Sequence, residues 1–205
     1  TLFRSFTSSE TENVNQKIIK IVATHLKSNG EISNTDSPFE ITSDKLTNEE
    51  RFAFMLRLAN NSPNGFLTFE AVKNIEIGPD RTFTMPDDAK WMEGSVRNII
   101  INSEKGETLG NVEYISNPIY HGVLILRQIQ AQYKFQIGTA IGTCILEYGF
   151  PHYFRKHVKN KTFETSISKI YFSKDSKAVN IRSTSRSILN EFENLFQAEY
   201  KQIKT

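Results

Sequence analysis

Three features of this 205-residue sequence predict an α+β fold: a single domain with a central mixed or antiparallel sheet flanked by helices, preceded by an N-terminal helical arm. Apolar residues recur at helical spacing near both ends, as in Val14, Ile18, Val22 and Leu26 and again in Ile188, Leu189, Phe192, Leu195 and Phe196. Between them, short segments alternate apolar and polar residues with turn signals at their ends. The length suits one core, and we find no internal repeat.

Composition narrows the class further. With 38% apolar and 11% aromatic residues, 10 Gly and 6 Pro, the chain is neither disordered nor collagen-like. A lone Cys144 forms no internal disulfide, and the four His lack the spacing of a helical metal pair, so no metal is expected. The longest apolar stretches fall far below the roughly 20 residues that span a bilayer, so a soluble, cytoplasmic protein with no membrane partner is expected. The chain opens on Thr-Leu-Phe-Arg, without Met, which fits a processed start, and these residues have no signal-peptide pattern.

In chain order, residues 11–26 predict a helix stopped by Ser28-Asn29-Gly30, and the polar stretch to Pro38 reads as a linker. This sets an N-terminal helix and linker over 1–38 and an α+β domain over 39–205. Phe39-Glu40-Ile41 reads as a short strand, and Thr47-Asn48-Glu49-Glu50 is a capping box opening a helix with Phe52, Met55 and Leu58. Residues 66–77 fit strand or helix. Pro86-Asp87-Asp88 starts a short helix through Trp91. Arg97–Ile101 and Thr108–Ile115, about the turn Ser103–Gly106, read as a β-hairpin. Tyr120–Gln132 reads as a strand, Gly138-Thr139-Ala140 as the opening of an apolar helix that Pro151 ends, Ser166–Phe172 as a strand, and Ser187–Tyr200 as the terminal helix.

The candidate chemistry lies at that strand-to-helix turn, because small residues at a helix start let backbone N–H groups reach a phosphate. Close packing of the helix on the sheet would demand the same small residues. The spacing matches neither the dinucleotide fingerprint nor the P-loop.

Over residues 39–182 the sequence resembles the GNAT superfamily of N-acyltransferases. Phe39-Glu40-Ile41-Thr42 with Leu46–Glu50 resembles the family's first strand and helix start, and Asn98–Ile101 with Glu107–Val112 its second and third strands. Ile129 to Ala131 stands where the family's fourth strand splays to admit pantetheine, and Lys134 with Ile137-Gly138-Thr139-Ala140 stands in its pyrophosphate loop. Lys169–Phe172 and Asp175–Val179 resemble its fifth strand and next helix start. The resemblance implies transfer of an acyl group from acetyl-CoA or another acyl-CoA to a small-molecule or protein amine. Such chemistry needs a base and oxyanion donors, with Glu113 first and then Tyr114 and His121 near the acceptor side. A Glu on an alternating hairpin is more often a solvated outer-face residue.

Charge is divided unevenly along the chain. Residues 31–93 hold twelve acids and six bases, whereas residues 151–187 hold nine bases and two acids, a contrast of −6 against +7. The basic segment interleaves Phe154, Phe163, Tyr171 and Phe172, which supports the alternative function: a non-enzymatic binding or assembly protein that binds nucleic acid through residues 151–187 or self-associates as a homo-oligomer. His152 and His157 lie in this segment and read more readily as partners of a helix end. Cys144 reads as a small buried hydrophobe.

Overall fold

In the computed structural model, the described residues are 17–18, 20–22, 24–25, 28–29, 40–60, 65–94, 96–103, 109–151, 153, 161–176 and 180–204. The chain divides into two compact units, Thr1–Glu40 and Ile41–Thr205. In the first, the described residues 17–25 and Ser28 are helical, and the Asn29 amide donates to the His25 carbonyl at 3.1 Å.

The second unit is a five-stranded, wholly antiparallel sheet with helices packed on one face, the α+β class expected. In chain order it comprises α1 (Asn48–Asn60), β1 (Leu67–Pro79), β2 (Ile99–Asn102), α2 (Glu113–Ser116), β3 (Leu124–Ile137), β4 (Ala140–Gly149), β5 (Glu164–Phe172) and α3 (Ile181–Ile203). Spatial order is β2-β1-β3-β4-β5, so β2 and β5 are the edges.

Local chemistry starts α1 as expected. The Thr47 hydroxyl accepts from the Glu50 amide at 3.2 Å and the Glu50 carboxylate accepts from the Thr47 amide at 2.8 Å, a reciprocal capping box. Phe52, Phe54, Met55 and Leu58 then meet Ile75, Ile129, Ala131, Tyr133, Leu146 and Tyr148 in the core, where α3 adds Ile188, Phe192 and Leu195. The Tyr133 hydroxyl donates to the carbonyl of Leu58, one of the last-turn acceptors of α1 that the helix itself leaves unpaired.

Four segments differ from the sequence reading. The segment 138–150 is strand β4, not a helix: Gly138, at φ +57°, and Thr139 make a two-residue turn from β3, and the β-branched run after it buries Cys144, Leu146 and Tyr148 at period two. Because Ile141 and Ile145 add apolar residues on the other face, the period was obscured. Strand β2 pairs with β1, Ile75 opposite Ile101 and Ile77 opposite Ile99, and not with residues 108–115, whose described part is a 3-10 turn at Leu109–Asn111 followed by the single turn α2. Residues 118–120 form another 3-10 turn, capped by Asn117 with Pro118 at its first position, so β3 starts later and runs further than expected. Helix α3 starts at Ile181, where the Asn180 side chain accepts from the Ser183 amide at 3.1 Å, and not at Ser187. The ambiguous segment 66–77 is β1 from Leu67 onward, the residues after Pro86 form a 3-10 turn, and Ile41-Thr42 contributes one antiparallel bridge, Thr42 to Thr162. His152, Phe154 and His157 lie outside the described residues. No helix among the described residues is long and apolar enough to cross a membrane.

Candidate binding face and cleft

The residues expected to carry acyl transfer occupy opposite ends of β3. Glu113, Tyr114 and His121 precede the strand: Glu113 accepts from the Asn117 amide group at 2.7 Å, Tyr114 meets the Tyr120 ring edge-on at 5.0 Å, and His121 stacks on Phe52 at 4.3 Å with Nε2 2.8 Å from the Ile115 carbonyl. Gly138 and Thr139 follow its far end, 14 strand residues away, or about 45 Å at ordinary rise per residue. Ile129, Ala131 and Ala140 are buried in the core and Ile137 is half-buried. Beside β3, β4 pairs in unbroken register from Gln128–Gly149 to Ile137–Ala140, and β1 pairs along the other side with three irregularities. No helix begins at Gly138. The divergent strand and helix N-terminus that a coenzyme cradle requires are therefore not the geometry found there.

Burial pushes the Cys144 thiol up to about 12, so it is a protonated core side chain and not a nucleophile. The buried Tyr133 hydroxyl is likewise raised by burial, and Tyr120 rises to about 12 because its hydroxyl donates to the Asp88 carboxylate.

The sheet face opposite the helices is polar and ordered by its own side chains. Along β3 the outward positions read Gln128, Gln130, Gln132, Lys134 and Gln136, the period-two complement of the buried Ile129, Ala131, Tyr133 and Phe135. Glu147 on β4 accepts from both Gln128 and Gln130, and Glu70 on β1 accepts from Gln132 at 2.8 Å and pairs with Lys134 at 2.7 Å. Burial opposes ionisation of Glu70, but these donors outweigh it and hold its carboxyl below the ordinary range. Arg127 pairs with Glu76 at 2.7 Å, and Glu76 also accepts from Asn98. Each of these carboxylates is thus tied to an amide or a cation.

At the β3–β4 hairpin end this order stops. A cleft of about 360 Å³ opens between the hairpin, the start of β1 and the residue after β5, lined among others by Phe66, Thr68, Lys134, Gln136, Thr143 and Ser173. Thr68 pairs with Lys134, Lys134 with Thr143 and Thr143 with Tyr171, so one cross-strand row leads from the cleft to the sheet edge. Tyr171 ends that row with 57% of its surface exposed.

The β5 edge is cationic. Lys169 lies on β5, Lys174 in the turn after it, and Arg182 and Arg186 in the first two turns of α3. No carboxylate pairs with any of the four among the described residues, whereas Arg57, Lys90, Arg127, Lys134 and Lys204 each lie within 4.0 Å of one. Two of the four stand against the helix's own electrostatics. A helix N-terminus carries partial positive charge, α3 has no acid in its first turn, and Arg182 and Arg186 are like charges at i, i+4. Of the residues singled out from sequence, Tyr171, Phe172, Lys174 and Lys134 come to this end of the sheet, whereas Lys161 and Phe163 lie at the other end of β5, beside Ile41 and Ser43. Gln136 and Thr143 were missed, because only cross-strand register reveals them as neighbours. Comparison with known protein families, curated proteins and solved structures finds no match.

Proposed function

We propose that this chain is a non-enzymatic binding protein whose ligand is single-stranded nucleic acid, taken at the β5 edge by Lys169 and Tyr171 on β5, Lys174 in the turn after it, and Arg182 and Arg186 on α3, which packs against the other face of the sheet. The observation that carries this reading is the position of Arg182 and Arg186. Arg182 costs α3 about 0.3–1 kcal/mol in its first turn through the dipole, Arg186 adds about 0.2–0.5 kcal/mol as a like charge at i, i+4, and no described carboxylate offsets them. An anionic ligand supplies the missing charge. A polyanion suits the arrangement better than a single phosphate, because the cations extend along a strand, a turn and two helical turns. Single strands suit it better than duplex, because the exposed Tyr171 ring offers a stacking surface that an unpaired base can occupy, worth about 1–3 kcal/mol per stacked base.

Fluorescence anisotropy with a labelled single-stranded RNA of about 12 nucleotides, at 50 mM salt, tests the reading. Binding in the micromolar range that Tyr171→Ala weakens at least several-fold is the expected result. A folded protein that leaves the RNA free at these concentrations, or that binds with Tyr171→Ala unimpaired, contradicts it.

A further inference from the structure

Gln136 differs from the other glutamines of its row. Gln128 and Gln130 donate to Glu147, Gln132 donates to Glu70, and even Lys134 is held by Glu70, so these outward donors of β3 are committed to carboxylates of neighbouring strands. The Gln136 amide lines the cleft, is exposed, and has no side-chain partner among the described residues. Around it the Thr68 and Thr143 hydroxyls are also without described partners, and Phe66 and Ile141 present exposed apolar surface. The cavity's volume of about 360 Å³ lies within the roughly 300–1,000 Å³ of small-ligand sites.

We infer that this cleft is a nucleobase pocket, in which the base lies against Phe66 and Ile141 and the Gln136 amide reads its edge. A carboxamide presents one acceptor and one donor in a plane, the pattern that pairs with the donor–acceptor edge of a base. A flat, largely apolar ring with polar edges matches a cleft whose walls are apolar and whose unpaired groups are an amide and two hydroxyls. Lys134 does not bias the pocket toward phosphate, because Glu70 neutralises it at 2.7 Å. The inference rests on the polyanion reading for its setting: Ser173 lines the cleft and adjoins Lys174, so a strand whose backbone follows the cationic edge can place one base here.

Uncharged nucleosides separate the pocket from the polyanion surface. Adenosine, guanosine, cytidine and uridine are titrated in turn into the isotope-labelled full chain and followed by amide NMR. At least one is expected to shift the Gln136 side-chain amide and the Thr143 and Ser173 backbone amides saturably, leaving the Asn48 side chain unmoved. Gln136→Ala should weaken that nucleoside about five-fold or more, and Gln136→Glu, which keeps size and acceptor but removes the donor, should change which nucleoside is preferred. No cleft shift from any nucleoside at millimolar concentration, or shifts scattered over the surface, overturns the pocket. If inorganic polyphosphate binds while every nucleoside fails, the pocket falls and the cationic edge stands. If a nucleoside binds the cleft while neither polyphosphate nor RNA binds, the pocket stands and the polyanion reading falls.

Discussion

Asn48 joins the buried Arg51 to the half-buried Asp80 at one end of the fold. Its Oδ1 accepts from Arg51 at 2.8 Å, while its Nδ2 donates to Asp80 at 2.8 Å and to the Gly122 carbonyl at 3.0 Å. Arg51, only 2% exposed, otherwise donates to the carbonyls of Ser43 and Leu46, and its guanidinium lies 5.0 Å from the Tyr153 ring centre and 5.6 Å from that of Phe150. Burial lowers its pKa, opposed by Tyr153 and Asp80. Replacing Asn48 by Leu leaves a guanidinium and a carboxylate without their shared partner, and the expected loss is about 1–3 kcal/mol of unfolding free energy in urea. A loss under about 1 kcal/mol would mean that the network is not structural.

The same carboxylates set the acid response. Burial raises the Asp80 pKa, but donation from Asn48 and from the Thr82 amide and hydroxyl, with the Arg51 charge, outweighs it and leaves the group below its ordinary 3.8. Glu50 falls below 4.5 through Lys204, 2.8 Å away, and the Thr47 amide. A depressed folded-state pKa contributes stability that is present above the unfolded value and lost as pH falls through the folded one. Urea midpoints should therefore hold steady down to about pH 5 and drop below about pH 4, and a midpoint that rises on acidification contradicts the assignment.

At the scale of elements, Gly142 fixes how β5 joins the sheet. A Cβ there would collide with the Tyr171 carbonyl and stand 2.8 Å from Phe135 Cζ and 3.0 Å from Phe172 Cα, so Gly142→Ala must push β5 away or displace an aromatic core residue. The expected cost is more than about 2 kcal/mol, with a weaker RNA affinity because Tyr171 and Lys169 move with the strand. A variant as stable as the parent would show that the β4–β5 pairing yields. Helix α3 responds with the opposite sign. Arg182→Glu places an acid in the first turn, where the dipole favours it, and should stabilise the helix by about 0.3–1 kcal/mol. Arg186→Glu turns a like-charge i, i+4 pair into an opposite-charge one and should stabilise it by about 0.2–0.5 kcal/mol, while binding falls in both. If both variants lose stability, the arginines are structural and not functional.

Elements were legible where local chemistry decides them. Thr47 and Glu50 announce α1 because the capping box is contained in four residues, and Ile188 to Phe196 announce α3 because one helix face alone is buried. The first two turns of α3 escaped because Thr184 is their sole buried residue. β4 reads as a helix because outward Ile141 and Ile145 mask its period, and the sequence pairs β2 with residues 108–115 because its true pairing with β1 spans some 25 residues. The cationic edge was legible as a charge imbalance. The free Gln136 was not, since its sequence neighbours Gln132 and Lys134 differ from it only by the register that brings Glu70 to them.

Over the whole second unit, charge is separated by structure as it is by sequence. Several acids of the first half are drawn into pairs, Glu50 with Lys204, Glu70 with Lys134 and Glu76 with Arg127, and four of the cations without a paired carboxylate among the described residues lie on β5, in the turn after it and at the start of α3. One quantity reports whether that surplus is used: the slope of log affinity against log salt for single-stranded RNA, measured on the parent and on the Arg182→Glu/Arg186→Glu double variant. With three to four phosphates neutralised, the parent slope should be about −2 to −3, since each contact on a single strand contributes about −0.7, and the double variant should flatten by about 1.4. Equal slopes in two folded proteins, or a parent affinity that ignores salt, would contradict a polyanion site at this edge.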